Sequence, residues 1–363
     1  MKRIFVYISC LVVLALATAT CSDDFTPYNR LVGLRVLALQ SEPVSPTFGQ
    51  TTTLTPLVFA PPGEVVSYSW SWCPLAGPAS QNAPCLVEEA QFAGFVGSSV
   101  PPYNLGTEAT ATFTNKIPNE WLARLCPPRS GSAPGRPAAG VADAAAPEDA
   151  AAAPSVGLNV TLPAGLIFDC SNGFPIQIKM VATSKKDGIT TDTVTTTRKL
   201  DLSYDSAALP NTNPVISGLT ARLLKRDEDR ITGVSGDQPE EPAVALTEPA
   251  SSTAIRQRKM RLNVVMPIEN AEPAIDRNEM NEEVASTERL FLSWFVESGD
   301  VDDARTGYFS GKTQLEDALK NIWRPSSVKK FPGLQSKVVV VVRDSRGGVS
   351  WAWGSANLME GPL

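Results

Sequence analysis

Six cysteines, several adjacent acid pairs and a complete lack of histidine set the chemistry open to this chain of 363 residues. Without imidazole there is no His general base, no His-containing triad and no His metal ligand. Catalysis or metal binding would have to rest on carboxylates or thiolates. Cys10 lies in an apolar leader, whereas Cys73, Cys85, Cys126 and Cys170 lie in the body of the chain. An even set of this kind suits two disulfides in an oxidising compartment. Cys73 and Cys85 are close enough to staple one loop, and Cys126 and Cys170 flank an Ala/Pro-rich stretch; spacing alone leaves all three pairings open. Zinc is the weaker reading, because the spacing contains no Cys-x-x-Cys pair. Cys21 is left over.

The acids offer less. Asp300, Asp302 and Asp303 follow Gly299 and could present oxygens to Ca²⁺, but the regular ligand spacing of an EF-hand is missing, and a solvated acidic loop is preferred. Glu88-Glu89, Glu282-Glu283 and Asp302-Asp303 are the pairs from which a carboxylate hydrolase would be built. Adjacent residues on a strand point to opposite faces, which works against each pair. Trp351 and Trp353 share a strand face and are weak candidates for a platform that stacks on sugar or peptide. Packing inside a sandwich is the preferred reading for both. The hydroxyls of Thr190 to Thr197 have no recognisable base partner and suit an exposed edge strand. No catalytic residue and no cofactor is assigned.

The N-terminus explains the spare thiol. Lys2 and Arg3 precede an uncharged, largely apolar run from Ile4 to Ala17, the pattern of an export signal. Thr18-Ala19-Thr20-Cys21 resembles a bacterial lipobox, which implies that Cys21 is acylated and becomes the new N-terminus. Ala17-Thr18-Ala19 also fits ordinary signal peptidase, which would release a soluble secreted protein; an uncleaved anchor is the third possibility. Lipidation is preferred, since it accounts for a cysteine without a partner. Ser22 stands where an aspartate would favour retention at the inner membrane, so the outer membrane is expected. Loss of Lys2 and Arg3 leaves 30 basic against 38 acidic residues, a net charge of −8. With no basic block, nucleic acid is not an expected partner.

The elements that must position these residues are β-strands. Short runs rich in β-formers, punctuated by Pro and Gly, fall at Leu34–Leu39, Thr51–Phe59, Val65–Trp72, Leu158–Leu162, Ile176–Thr183 and Ile189–Leu202. A second set falls at Val215–Leu224, Lys259–Met266, Leu290–Val296, Lys337–Val342 and Val349–Trp353. Each set has a Trp-bearing strand: Tyr68, Trp70 and Trp72 alternate with serines, and Leu292, Trp294 and Val296 share a face. Each ends in a hairpin, turning at Lys186-Asp187-Gly188 and at Arg346-Gly347-Gly348. A short helix is expected before each hairpin. One starts at Pro118 and carries Trp121, Leu122 and Leu125. The other has a Thr313/Glu316 capping box, with Leu315, Leu319 and Ile322 on one face up to Pro325. Phe113-Thr114-Asn115-Lys116 parallels Phe309-Ser310-Gly311-Lys312, with Glu120 matching Glu316, as in a duplicated unit.

Arg35-Val36-Leu37-Ala38-Leu39, Pro43, Thr51–Thr55, Ser67-Tyr68-Ser69-Trp70-Ser71-Trp72 and the terminal hairpin resemble immunoglobulin-like or PKD-like domains of bacterial surface lipoproteins. The resemblance covers most of 31–205 and, less closely, 214–360. The expected fold is therefore all-β, two tandem immunoglobulin-like sandwiches. A signal peptide (1–20) and tether (21–30) precede the first domain (31–208), which carries an Ala/Pro-rich insert at 127–155. A linker (209–214) leads to the second domain (215–360). Asp227-Glu228-Asp229, set among Lys225, Arg226 and Arg230, belongs to an exposed loop. The expected function is a non-catalytic envelope lipoprotein, bound to the membrane by its lipid, that binds or assembles an unidentified protein or polysaccharide. A carboxylate-dependent envelope hydrolase and a purely structural spacer are the alternatives.

Overall fold

The computed structural model describes residues 27–77, 84–97, 100–126, 170, 172–204, 211–224, 242–250, 252–277 and 283–360. The leader, Cys10, Cys21, the 127–155 insert, Leu158–Leu162, the 225–230 charge run and Glu282 lie outside the described residues. The first unit contains β1 (Arg35–Glu42), β2 (Thr51–Phe59), β3 (Val65–Cys73), α1 (Glu89–Val96), β4 (Asn104–Gly106), β5 (Ala111–Thr114), α2 (Asn119–Leu125), β6 (Phe174–Lys186) and β7 (Ile189–Leu202). Its two sheets run β1-β2-β5 and β4-β3-β6-β7. This is the strand order of a Greek-key sandwich whose fourth strand lies on the second sheet.

The alternation in β3 does what its pattern requires. Trp70 and Trp72 are buried between the sheets, each donating its indole N–H to a carbonyl: Glu108 at 2.9 Å and Pro102 at 2.8 Å. Around Trp72 stand Phe113 at 4.9 Å, Tyr103 at 5.2 Å and Phe92 at 5.9 Å between ring centres, all edge-on. Phe92 belongs to α1, a helix that the strand-dominated sequence conceals, and it meets Trp121 of α2 at 5.3 Å. The two helices thus plug the open end of the sandwich with aromatic rings. Disulfides join Cys73 to Cys85 and Cys126 to Cys170. The second spans 44 residues, a loop length whose closure is worth about 4 kcal/mol in the chain-entropy account. The β6–β7 turn places Asp187 and Gly188 at φ of 51° and 80°, the positive values that its Asp-Gly pair anticipates.

The second unit contains β8 (Gly218–Leu223), β9 (Val244–Ala245), β10 (Ser252–Ile255), β11 (Met260–Val265), a 3₁₀ turn (Ile268–Asn270), β12 (Pro273–Arg277), β13 (Glu283–Thr287), β14 (Leu290–Val296), β15 (Asp300–Val301), β16 (Arg305–Tyr308), α3 (Leu315–Ala318), β17 (Lys320–Arg324), β18 (Gln335–Asp344) and β19 (Val349–Met359). Its sheets run β15-β17-β11-β8-β9 and β10-β19-β18-β14-β16, with β12-β13 as a separate ribbon. The order β8-β11-β17 facing β16-β14-β18-β19 repeats β1-β2-β5 facing β4-β3-β6-β7, so the two units share one topology. Leu292, Trp294 and Val296 point into the core, as their spacing requires.

Several local expectations are corrected. Phe113 sits on β5, whereas Phe309 follows β16, the counterpart of β4; the segment likeness therefore joins non-equivalent places. In the second unit the helix does not lead directly to the terminal hairpin, because β17 intervenes. That helix stops at Ala318, and Ile322 lies on β17, paired with Arg261 of β11. The capping box does not form either. Thr313 Oγ1 accepts from Phe309 N at 2.8 Å and donates to Gly307 O at 3.2 Å, so its hydroxyl serves the preceding turn. Trp351 and Trp353 point away from the sandwich interior. The same strand turns Gly354 inward instead, where a Cβ would lie 2.5 Å from the Leu246 carbonyl.

The reason for that outward face is a third core. The unbroken Val338–Val342 run sends Val338, Val340 and Val342 into the second sandwich, and Val339 and Val341 out. A strand apolar on both faces must be covered on both. Leu31, Leu37 and Ala38 provide the cover, joined by Phe295 and Val349 and flanked by Leu57, Phe59 and Trp351. The first unit therefore packs its three-stranded sheet against the outer face of the second unit's sheet.

Candidate functional site: a cleft between the sandwiches

At one margin of this third core the two units diverge and leave a cleft of about 840 Å³. One wall carries Leu34, Arg35, Val36 and Leu37 at β1, and Asp192 and Val194 from β7. The other carries Phe291, Ser293 and Phe295 from β14, Arg305 from β16, and Arg343 from β18. The alternation of β14 explains the second wall: turning Leu292, Trp294 and Val296 inward puts the intervening residues on the cleft side.

The segment before β1 closes one end. Leu31 N donates to Val296 O at 2.9 Å, and Val296 N donates to Asn29 O at 3.0 Å. Arg30 pairs with Asp300 at 3.1 Å. Arg35 donates to the carbonyls of Tyr28 and Val32, the latter at 3.1 Å. Tyr28 meets the Phe295 ring at 6.4 Å between centres, and the Arg305 guanidinium lies 5.2 Å over the Tyr28 ring. Residues contiguous with the first unit are thus strapped onto the second.

Arg343 reaches across the interface, donating to Leu37 O at 2.6 Å and to Ser293 Oγ at 3.3 Å. Burial lowers its pKa, and the nearby charge of Arg305 lowers it further. Arg198 closes an adjoining recess of about 320 Å³ by donating to the carbonyls of Leu39 and Gly347 and, at 3.0 Å, to Ser41 Oγ. Burial pulls its pKa down to about 10 against the favourable charges of Asp344 and Asp201. Together Arg343 and Arg198 occupy carbonyls on the outer edge of β1, which among the described residues has no strand partner on that side.

Behind the recess an ionic clasp holds the chain that joins the units. Arg346 pairs with the buried Glu288 and, at 2.9 Å, with Glu272. Glu272 in turn accepts from the backbone N–H and hydroxyl of Thr212. Asn213 donates to Ser41 O at 2.8 Å and accepts from Val349 N at 2.8 Å. Burial, first, and the neighbouring Asp344 push Glu288 up to about 7 against the pull of Arg346. Asp344 is likewise raised by burial, although its Oδ1 accepts from the N–H groups of Arg346 and Gly348, both at 2.8 Å.

The residues singled out from the sequence lie elsewhere. Asp300 faces Arg30, Asp302 pairs with Arg324 at 3.0 Å, and Asp303 exchanges backbone hydrogen bonds with the Asn321 side chain. Among the described residues no group of three or more acids and cysteines is placed to hold a metal ion. Glu89 accepts from Tyr103 N at 3.0 Å, and neither it nor Glu88 lines the cleft. Trp351 helps cover the third core, while Trp353 is 40% exposed with the Lys337 ammonium 4.4 Å over its ring. Tyr28, Arg305 and Arg343 were not legible as a site. Tyr28 is a ring in the segment before β1 and the two arginines are ordinary charges near strand ends, and only packing between the units brings them together.

Fold and cleft define a predominantly β protein of two sandwiches with a cleft between them. No protein-family model matches the chain, and no curated protein sequence does. No helix among the described residues is long and apolar enough to cross a membrane.

Proposed function

We propose that this chain is a non-catalytic binding or assembly module of a bacterial cell envelope, held to the outer membrane by acylation at Cys21, with the cleft between its sandwiches as its binding site. The observation that carries the binding half is the cleft itself. Its walls come from both units, its volume suits ligand recognition, and it combines fixed arginines with aromatic rings. A purely structural spacer gives no reason to leave such a concavity at an interface otherwise closed by Leu37, Phe295 and Val341. The hydrolase reading loses support because, among the described residues, none of the acids paired for it lines the cleft. Asp192 and Asp344 do, but Asp192 binds Thr193 N at 2.8 Å and Asp344 braces the β18–β19 turn. Two disulfides in the first unit suit an oxidising compartment and support the envelope address.

The binding half is tested by capture from intact envelopes. Arg305 is exposed, so Arg305→Glu should leave the melting temperature unchanged while reducing the captured component at least tenfold. Equal capture by both proteins would remove the cleft from the function. The address is tested with a palmitate analogue, which should label the wild type and not Cys21→Ser. Equal labelling would eliminate the anchor.

A further inference from the structure

We propose that the group entering the cleft is a single anionic amphiphile, a phosphate- or carboxylate-headed molecule with an apolar body. This rests on the reading of the cleft as the binding site. Arg305 and Arg343 line the same cleft, the charge of Arg305 is close enough to disfavour that of Arg343, and among the described residues neither forms an ion pair with a carboxylate. Two like charges held together beside low-dielectric walls are relieved by an anion, and the guanidinium fork matches phosphate and carboxylate oxygens. Arg343 cannot swing away, because Leu37 O and Ser293 Oγ hold it. Arg305 is steadied by the Tyr28 ring.

Of the polar groups that share the lining, Arg35 is held by the Tyr28 and Val32 carbonyls, Asp192 accepts from Thr193 N, and Asp344 accepts from the N–H groups of the β18–β19 turn. Val32, Val36, Val194 and Phe291 offer a surface for hydrocarbon, and Val32 and Phe291 are 54% and 39% exposed. An inorganic anion would leave that surface wet. An extended peptide fits less well for a separate reason. Strand addition needs free backbone groups along a sheet edge, and on β1 the carbonyls of Leu37 and Leu39 are already taken by Arg343 and Arg198. What remains among the described residues is side-chain chemistry: two arginines without an ion-pair partner, two acids already engaged by backbone N–H groups, and an apolar floor.

The test titrates the full mature protein by calorimetry with octyl phosphate, octanoate, octylammonium and inorganic phosphate. The two anionic amphiphiles should bind, with affinity that falls as salt rises. Inorganic phosphate should bind at least tenfold more weakly than octyl phosphate, and octylammonium not at all. Arg305→Gln should melt with the wild type, since Arg305 is exposed, and should weaken octyl phosphate at least tenfold. Octylammonium binding as well as octyl phosphate, or Arg305→Gln binding unchanged, would overturn the proposal. Co-sedimentation of the Cys21→Ser protein, which lacks the acyl anchor, with anionic phospholipid vesicles, lost when Arg305→Gln is added, would support it with a membrane lipid as the source. Octyl phosphate binding without vesicle binding would support it with a free amphiphile. If no anionic amphiphile binds while Arg305→Glu still abolishes envelope capture, the ligand class is wrong and the cleft stands. If envelope capture is also unaffected, both readings fall.

Discussion

Replacing Arg346 by alanine should destabilise the protein by about 3–5 kcal/mol at pH 8, and by much less near pH 5. Arg346 is the cation between Glu288 and Glu272, and Glu288 is buried, with Asp344 close enough to raise its pKa. Removing the guanidinium leaves a carboxylate in low dielectric with no counter-charge, and protonation is the remaining relief. The sign follows from the direction of the shift. Glu288 titrates near 7 when folded and near its ordinary value of 4.5 when unfolded, so between these values the folded state holds more protons. Stability therefore falls as pH rises through that window and levels off above it. In the wild type the change attributable to Glu288 is about 3 kcal/mol, and the raised Asp344 adds in the same direction. Urea midpoints between pH 4.5 and pH 8 measure both quantities. Glu288→Gln should flatten the slope, and a deficit in Arg346→Ala that ignores pH would show that the clasp does not bear this charge.

Trp72→Ala should cost about 3–5 kcal/mol, and Trp353→Ala no more than about 0.5 kcal/mol. The two residues are chemically identical and both sit on β-strands, yet one is 2% exposed and the other 40%. Trp72 anchors the ring cluster that includes Phe92, Tyr103 and Phe113, and its indole N–H satisfies the Pro102 carbonyl. Deletion opens a void that α1 and α2 can close only by leaving their seats. Trp353 forfeits one contact with the Lys337 ammonium and some partly wet surface. Equilibrium unfolding of each variant followed by near-ultraviolet dichroism makes the comparison. Equal costs would place Trp353 in a core and contradict its outward register.

The strands that were legible from sequence are those with one wet face. Alternation in β3 and β14 marks their inward tryptophans, and the Thr-rich β7 declares itself an edge. The two disulfides followed from even count and separation, although the choice of partners needed three dimensions. What failed shares a cause. Short strands such as β4, β15 and β16 carry too few residues for a period to register. Ile322-Trp323 looks like the tail of a helix until pairing with β11 makes it a strand, a case of tertiary context overriding local pattern. Trp351 and Trp353 read as interior residues when a sandwich is taken alone, whereas Trp351 covers the third core and Trp353 is exposed. The continuous valine run of β18 already implied two covered faces, and with them an intimate interface. The cleft arginines had no such trace, since Arg35, Arg305 and Arg343 are far apart in the chain and acquire meaning only where sheets from different units meet.

The attachment of Asn29–Leu31 beside Val296 has a mechanical consequence. A pull on the N-terminus does not enter the molecule through β1. It is taken first by the main-chain bonds at Val296 and by the Arg30–Asp300 contact, all on the distal sandwich. Load applied there falls on an isolated parallel bridge between Arg30 and Val296. The C-terminal half is therefore the half that bears tension, and the N-terminal half rides beside it, shielded until that seam gives way.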